Sequence, residues 1–268
     1  MTDIPFYWLD IFTESKFKGN PAAVCVLNKE LDDETYQNIA KEINLSETAF
    51  PIKVSPSEYN LRWFTPTSEM PLCGHATIAT AYTLATEYKE KSPIKFHTLS
   101  GDHLVEVDEN NVTLNFPRWS FEPKPNPKLC KLLGIEDNLH TFYNTEMKAY
   151  IILLESETQV RDFKPDFNLI LRYSQDNDVL GIGIMSKGND EYDYVYRVFA
   201  PIMGVNEDAG TGIVNCMIGH YWGEVLNKKN MRVAQPSERF SMFSVEPVEN
   251  GVRITGKATP LIKGTLSI

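Results

Sequence analysis

The fold is decided by the stretch Arg62-Trp63-Phe64-Thr65-Pro66-Thr67-Ser68-Glu69-Met70-Pro71-Leu72-Cys73-Gly74-His75-Ala76-Thr77. Its first residues have the aromatic side chains typical of a strand, and Pro66 ends that strand because proline cannot donate to a sheet ladder. After a polar loop, an alanine-rich run over 76–85 predicts a buried helix. Cys73 and His75 are therefore expected at the start of this helix, where unpaired backbone N–H groups favour an anion.

The same pattern occurs again about half the chain length later. Arg197-Val198-Phe199-Ala200-Pro201 repeats the opening of the first stretch, and a glycine loop, Glu207-Asp208-Ala209-Gly210-Thr211-Gly212, and an apolar helix-like run follow in the same order. A chance match of five residues would not also repeat the loop, the glycine and the helix. The duplication predicts two similar domains, each presenting a helix N-terminus to a cleft for a small anionic ligand.

The domain limits follow from the duplication and from one proline-rich stretch. Residues 117–127 contain four prolines and lie near the midpoint, as expected of a linker. We predict an N-terminal domain over 1–118 and a C-terminal domain over 119–259. We expect the last strand, about 260–268, to return to the first domain, because a terminus is usually tied down in this way.

Composition indicates an ordinary globular protein with an acidic surface. Of the 268 residues, 42% are hydrophobic and 23% are charged, and the net charge is −10. This charge argues against binding to nucleic acid or to anionic membranes. We expect no membrane span and no secretion signal, and the four cysteines are scattered as free thiols would be. The histidines are also dispersed, so we expect no metal site, and we expect no cofactor. Because we expect free thiols and no secretion signal, we expect a cytoplasmic protein.

Three residues have the chemistry of acid/base catalysis, and each also has a plainer interpretation. Glu47 lies beside apolar residues, which can raise a carboxyl pKa toward neutrality, but it could be an ordinary surface glutamate. His75 at a helix N-terminus is expected to favour the neutral form, but it could be a core or capping histidine. Asp208 could orient a ligand or polarise His75, and it could equally cap the second helix.

Cys73 and its counterpart exclude one mechanism. A racemase with two bases needs a proton-carrying group on both sides of a substrate carbon. If Gly74 corresponds to Gly210, then the partner of Cys73 is Ala209, which has no proton to give. Cys216 lies inside the second helix and is expected in the core. A symmetric epimerase with two cysteines is therefore disfavoured, and an asymmetric set of acid and base groups is expected.

Taken together, these motifs resemble the PhzF family of phenazine biosynthesis-like proteins. The match runs nearly from end to end, and six motifs in the family's order carry it. These are Leu9-Asp10-Ile11-Phe12-Thr13, Gly19-Asn20-Pro21-Ala22-Ala23-Val24, Asn44-Leu45-Ser46-Glu47-Thr48-Ala49-Phe50, Arg62-Trp63-Phe64-Thr65-Pro66, Cys73-Gly74-His75-Ala76-Thr77 and Glu207-Asp208-Ala209-Gly210-Thr211-Gly212. The resemblance implies an α+β fold of two pseudo-symmetric, diaminopimelate-epimerase-like domains. Each would be a curved sheet or barrel around a central helix, with the active-site cleft between them.

The resemblance also implies a function and a set of site residues. Family members include a cofactor-independent isomerase that moves a proton within dihydro-hydroxyanthranilate, and members are commonly homodimers. By resemblance, Glu47 shuttles the proton, while His75 and Asp208 bind and polarise the substrate. We also assign substrate binding to some further residues of these motifs, namely Asn20, Ser46, Cys73, Gly74, Gly210, Thr211 and Gly212.

Two departures from the family pattern keep a second function open. Ile213 stands where the family usually has a serine, and Phe240-Ser241 stands where it often has two glycines. These changes predict an altered wall in the second domain, suited to a more apolar substrate or to a protein without catalysis. The leading hypothesis is an isomerase acting on a small carboxylate-bearing metabolite. The alternative is a catalytically inactive binding or scaffold protein with the same fold.

Overall fold

The computed structural model describes residues 2–135 and 140–268, which divide into two compact units. Unit 1 consists of Met1–Asn115 with Arg253–Ile268, and unit 2 consists of Phe116–Val252. The limits predicted from the sequence, 1–118 with about 260–268 and 119–259, stay a proposal.

The described residues form strands in groups, with helices between the groups. In chain order they are β1 (Asp3–Ile11), β2 (Asn20–Cys25), α1 (Asp33–Ile43), β3 (Thr48–Ser55), β4 (Glu58–Phe64), β5 (Glu69–Met70), α2 (Gly74–Glu87), β6 (Ile94–Thr98), β7 (Gly101–Asp108), β8 (Asn111–Pro117), β9 (Glu122–Pro123), α3 (Pro127–Leu132), β10 (Thr141–Asn144), β11 (Ala149–Leu153), α4 (Glu157–Asp162), α5 (Phe167–Asn177), β12 (Gly181–Lys187), β13 (Tyr194–Ala200), β14 (Val205–Glu207), α6 (Asn215–Leu226), β15 (Met231–Gln235), β16 (Ser241–Val248) and β17 (Gly251–Ser267).

Unit 1 is a barrel of eight strands closed on itself. β17 pairs antiparallel with β1, β1 with β2, β3 with β4, β6 with β7 and β7 with β8, while β2–β3 and β4–β6 are parallel. The pairing of β8 with β17 closes the ring. The C-terminal strand runs along β1 from Asp3↔Ser267 to Ile11↔Ala258. Closure leaves no open edge among these strands.

The central helix of unit 1 is α2, the helix predicted from the opening stretch. Every residue from His75 to Leu84 is buried, and the helix contacts β1, β2, β3 and β7. Small alanine side chains let the surrounding strands approach closely. The buried threonines satisfy their hydroxyls within the helix, since Thr80 donates to the carbonyl of Ala76 at 2.7 Å and Thr83 to that of Ala79 at 2.8 Å. The hydroxyls of these buried threonines are therefore hydrogen-bonded within α2 itself, and they need no partner from the surrounding strands.

Unit 2 is built in the same style, as a curved sheet with helices. β12 lies between β11, which is parallel to it, and β13, which is antiparallel, and β13 continues to β15 and β16. The helix α6 packs against β16 and buries its apolar face, including Cys216. A second apolar cluster, formed by β11, β12, β13 and the helices α3 to α5, fills the other face. The α+β class with a curved sheet around a helix is thus confirmed.

The helices of the described residues are too short or too polar to cross a membrane.

Candidate active site

The first helix N-terminus is placed by an arginine–glutamate pair. Arg62 on β4 donates from its Nε and one terminal nitrogen to both carboxylate oxygens of Glu69 on β5, at 2.7 and 2.8 Å. This bidentate pair fixes the short β4–β5 hairpin immediately before the loop that enters α2. Cys73 is the N-cap residue of α2 and makes no side-chain cap hydrogen bond. The N–H groups of the first turn are therefore not used by a capping side chain.

Three titratable side chains of unit 1 meet at this point. His75, in the first turn of α2, has its Nε2 3.1 Å from Oε2 of Glu47, which precedes β3. On the other edge of the ring, Nδ1 lies 3.6 Å from Cys73 Sγ and 3.4 Å from the side-chain nitrogen of Asn20. Ser46 places its hydroxyl 3.3 Å from Nε2. The predicted unit 1 residues Asn20, Ser46, Glu47, Cys73, Gly74 and His75 are thus brought together.

The carboxylate of Glu47 is unusual because one oxygen is buried without a well-directed donor. Its side chain is 16% exposed, and Oε2 accepts no hydrogen bond of normal geometry among the residues that the structure describes. The 3.1 Å distance to His75 Nε2 is short enough, but the direction of approach is poor. Buried polar atoms are nearly always hydrogen-bonded, so an oxygen that has only an ion-pair partner keeps the capacity to accept a proton or a ligand group.

The charges of the cluster set the pKa values in a direction opposite to the expectation from sequence. Burial by itself would raise the pKa of Glu47, but the charge of His75, whose Nε2 lies 3.1 Å away, lowers it below its ordinary value. Burial would likewise lower the pKa of His75, yet the Glu47 carboxylate, 3.1 Å from Nε2, raises it above its ordinary value. The predictions of a raised Glu47 pKa and a neutral His75 were wrong, because the ion pair outweighs burial and the helix dipole.

Burial and the neighbouring carboxylate raise the pKa of Cys73. The thiol is only 5% exposed, so it stays protonated and is a poor nucleophile.

The same three residues could in principle act as metal ligands. One donor atom from each of Glu47, Cys73 and His75 lies within 4.8 Å of the others, a proximity that their spacing in sequence did not reveal. However, Cys73 approaches Nδ1 and Glu47 approaches Nε2, which are opposite edges of the imidazole ring. A single ion binds only one of these nitrogens. The geometry suits a chain of proton donors and acceptors better than a three-ligand metal site.

In unit 2 the corresponding loop is held by hydrogen bonds. Thr211 donates its hydroxyl to the Asp208 carboxylate at 2.6 Å. Gln235 is fully buried, accepts from the Thr211 backbone N–H at 2.6 Å and donates to the Asp208 carbonyl at 2.6 Å. Gly212 then opens a 3-10 turn, Gly212–Val214, before α6 begins. Asp208 therefore does not cap the second helix, since neither the turn nor α6 has a side-chain cap.

The carbonyl of Ala209 receives two further hydrogen bonds. Ser237 and Ser241 each donate a hydroxyl to it at 2.8 Å. Phe240, between them, has a φ of +58°, a left-handed conformation that glycine adopts without strain. Its ring packs at 6.0 Å from that of Tyr192 and under the Arg161 guanidinium.

Unit 2 thus holds the predicted residues Asp208, Gly210, Thr211 and Gly212 in one loop. Sequence reasoning assigned no role to Gln235, Ser237 or Ser241, although all three lie in the segment that was compared with the family's glycine-containing motif. The usable signal was the Gln-x-Ser pattern, because a buried glutamine after a strand needs backbone partners.

These two strand–loop–helix units define an α+β protein of the epimerase-like class. The chain belongs to the PhzC–PhzF family of phenazine biosynthesis-like proteins, whose model matches residues 9–264. It is 38% identical to a protein of Halalkalibacterium halodurans that is named an uncharacterized isomerase, over 99% of each chain. It is also similar to the crystal structure of a PhzF-family phenazine biosynthesis protein from Enterococcus faecalis, with a TM-score of 0.92, 36% identity and 100% of both chains covered.

A more distant neighbour supports the fold alone. The structure of a probable proline racemase from Agrobacterium radiobacter K84 covers 99% of this chain and 93% of its own, with a TM-score of 0.67 at 10% identity.

Proposed function

We propose that this protein is a cofactor-independent isomerase that moves a proton within a small carboxylate-bearing metabolite. The isomerase class is supported by the names of its relatives, and the chemistry is inferred from the cluster in unit 1. One observation carries the proposal. The buried Oε2 of Glu47 has no well-directed donor in the described structure and lies 3.1 Å from His75 Nε2.

The first step is removal of a proton from a carbon activated by the substrate's own carboxylate. Glu47 is suited to this step because its lowered pKa keeps it ionised at neutral pH. Its unused oxygen can accept the proton without first losing another hydrogen bond. Positioned acid/base catalysis of this kind contributes roughly 10²- to 10⁴-fold in rate.

The second step returns the proton to another carbon on the same face of the substrate. After accepting the proton, Glu47 is the natural acid for this return. His75 carries a raised pKa and is therefore a cation near neutrality, so it stabilises the negative charge that develops on the substrate. The uncapped first turn of α2 adds backbone N–H groups that favour the same charge.

The residues of unit 2 have a binding role in this proposal. Asp208 and the loop over Gly210–Gly212 are proposed to bind a substrate group, as the resemblance to the family implies. Asp208 is already engaged by the Thr211 hydroxyl, which suits orientation of a ligand better than proton transfer. The homodimer and the cytoplasmic location are also proposals, and light scattering of the purified protein tests the former.

The test is proton exchange in deuterated water, followed by NMR with a panel of small carboxylate metabolites. Wild type is compared with Glu47→Gln and with Glu42→Gln, a matched control on the exposed face of α1. We expect deuterium to enter one metabolite with wild type and the control, and a rate at least about 10²-fold lower with Glu47→Gln. Equal exchange by all three proteins would remove the role of Glu47. Binding without exchange would favour the alternative of a non-catalytic binding protein.

A further inference from the structure

Unit 2 contains a cavity that the proposed chemistry does not use. Its volume is about 190 Å³, and its walls include Lys124, Lys128, Tyr143, Tyr150, Tyr173 and Asn177. These side chains come from the segments around β9 and α3, from β10 and β11, and from α5. At ~30 Å³ for each water of liquid volume, the cavity holds a molecule of about six waters in size. That is smaller than most drug-sized sites, which begin near ~300 Å³.

The walls of this cavity are rich in donors and contain no carboxylate. Neither Lys124 nor Lys128 forms an ion pair with any acidic residue that the structure describes. The nearest acids along the chain are Glu122, two residues before Lys124, and Asp176 and Asp178 on either side of Asn177, and Asp178 is paired with Lys148 at 2.6 Å. None of these carboxylates lines the cavity, so its two exposed lysine ammonium groups give it a local positive charge in a protein whose net charge is −10.

The tyrosine hydroxyls add neutral donors to the same space. The Tyr173 oxygen accepts from the Asn126 side chain at 2.7 Å, so its own hydrogen remains available to an acceptor. Burial raises the pKa of Tyr173, which keeps that hydrogen in place. The hydroxyls of Tyr143 and Tyr150 have no partner among residues 2–135 and 140–268. The lysine ammonium groups and the tyrosine hydroxyls in the cavity wall therefore have hydrogen atoms available to a hydrogen-bond acceptor.

The rings in the wall favour a flat ligand body. Tyr143 and Tyr150 have centroids 4.8 Å apart, and the Lys124 ammonium lies 3.9 Å from the centre of the Tyr143 ring. This cation–π contact holds the lysine over the aromatic wall without neutralising its charge. An anion beside the ammonium and a planar apolar group against the tyrosine rings would satisfy both features.

We infer that this cavity binds a small organic anion with a planar body, such as an aromatic or unsaturated carboxylate. The carboxylate would lie between the Lys124 and Lys128 ammonium groups and accept from the Tyr173 hydroxyl, and its flat part would pack on Tyr143 and Tyr150. The site is distinct from the Glu47–His75 cluster in unit 1, and it stands whether or not that cluster is catalytic.

The test compares three probes and three proteins by NMR titration. Benzoate carries both features, acetate carries only the charge, and benzamide carries only the ring. The proteins are wild type, the double variant Lys124→Met/Lys128→Met, and Lys229→Met as a control at an exposed lysine elsewhere in unit 2. The side-chain amide signals of Asn126 and Asn177 report from the cavity wall. Methionine keeps the apolar stem of lysine, and thermal unfolding checks that each variant is folded.

We expect saturable benzoate binding to wild type with a dissociation constant on the order of 1 mM, and binding at least ~10-fold weaker for acetate and for benzamide. The double variant should lose benzoate affinity by ~10-fold or more, and Lys229→Met should match wild type. Three results would overturn the inference. They are no saturation by benzoate at ~10 mM, equal binding of benzamide, or unchanged benzoate affinity in a folded double variant.

Discussion

The two strand–loop–helix motifs begin alike and end differently. In unit 1, Arg62 forms a bidentate pair with Glu69 and lies 5.0 Å from the ring of Phe64. In unit 2, Arg197 forms the same bidentate pair with Glu207, at 2.7 and 2.8 Å, and lies 5.2 Å from the ring of Phe199. The duplication therefore preserves a complete local arrangement. In each unit a bidentate arginine–glutamate pair, which we call the arginine fork, fixes the hairpin before the helix.

Beyond this fork the two loops use polar groups in opposite ways. The first motif delivers Cys73 and His75, which meet Glu47 from the segment before β3, and Glu47 Oε2 accepts no well-directed hydrogen bond among the described residues. The second loop delivers backbone and side-chain groups tied down by neutral partners, with Gln235 bridging Thr211 and Asp208. Unsatisfied groups are costly in a folded protein and are retained where they serve function. The comparison supports the proposal that proton chemistry belongs to unit 1 and that unit 2 supplies binding groups.

The strongest way to break the comparison is to remove the arginine from each fork. Arg197 is 9% exposed and also donates to the carbonyls of Val160 and Phe163, at 3.1 and 2.7 Å. Replacing it with methionine leaves the largely buried Glu207 carboxylate without its charge partner, so we expect Arg197→Met to lower the free energy of unfolding by about 3–5 kcal/mol. The Arg62 side chain is 26% exposed. We expect Arg62→Met to lower the free energy of unfolding by only about 1–2 kcal/mol, because solvent compensates part of the loss.

Urea unfolding of both variants measures this difference. The double variant Arg197→Met/Glu207→Gln should regain part of the loss, because it no longer buries an unpaired charge. Equal destabilisation by the two arginine substitutions would show that the forks are not distinguished by burial. No rescue by Glu207→Gln would show that the lost contacts to the Val160 and Phe163 carbonyls dominate.

A smaller effect concerns the ion pair that distinguishes unit 1. The pKa of Glu47 is lowered, so its contribution to stability is present above the ordinary value of 4.5 and is lost as the pH falls. The pKa of His75 is raised, so its contribution is present below the ordinary value of 6.5 and is lost as the pH rises through the higher value of the folded protein. Both contributions are complete only between about pH 4.5 and pH 6.5.

The measurement is the free energy of unfolding of wild type minus that of His75→Gln, across a pH series. We expect this difference to be largest between those two values and to decline on both sides by on the order of 1 kcal/mol. Cys73 also faces the imidazole but is a neutral thiol, so Cys73→Ala serves as a control that should leave the decline in place on both sides. A difference that stays constant across the series would mean that His75 is neutral in the folded protein, as the sequence alone had predicted.

Sequence reasoning succeeded where the determining contacts are local. The strand before Pro66 and the buried helix α2 depend on neighbouring residues, and the structure has both, with β4 ending at Phe64. The sign of the Glu47 pKa shift could not be found in this way. It depends on the approach of His75, which the packing of α2 beside β3 brings to within 3.1 Å. The late start of α6, after the turn Gly212–Val214, likewise depends on Gln235 from a later strand.

The smallest expected effect tests the hydrogen bonds that hold the loop of unit 2. Ser241 is fully buried and donates its hydroxyl to the Ala209 carbonyl at 2.8 Å, but Ser237 donates to the same oxygen at the same distance. Because one donor remains, Ser241→Ala should lower the free energy of unfolding by only about 0.5–1 kcal/mol, and Ser237→Ala by a similar amount. The double variant leaves this carbonyl without either hydroxyl and should cost more than the sum of the two, by roughly 1 kcal/mol. Additive losses in urea unfolding would mean that the carbonyl finds water when both donors are gone, and unit 2 would then be less rigid than its hydrogen bonds indicate.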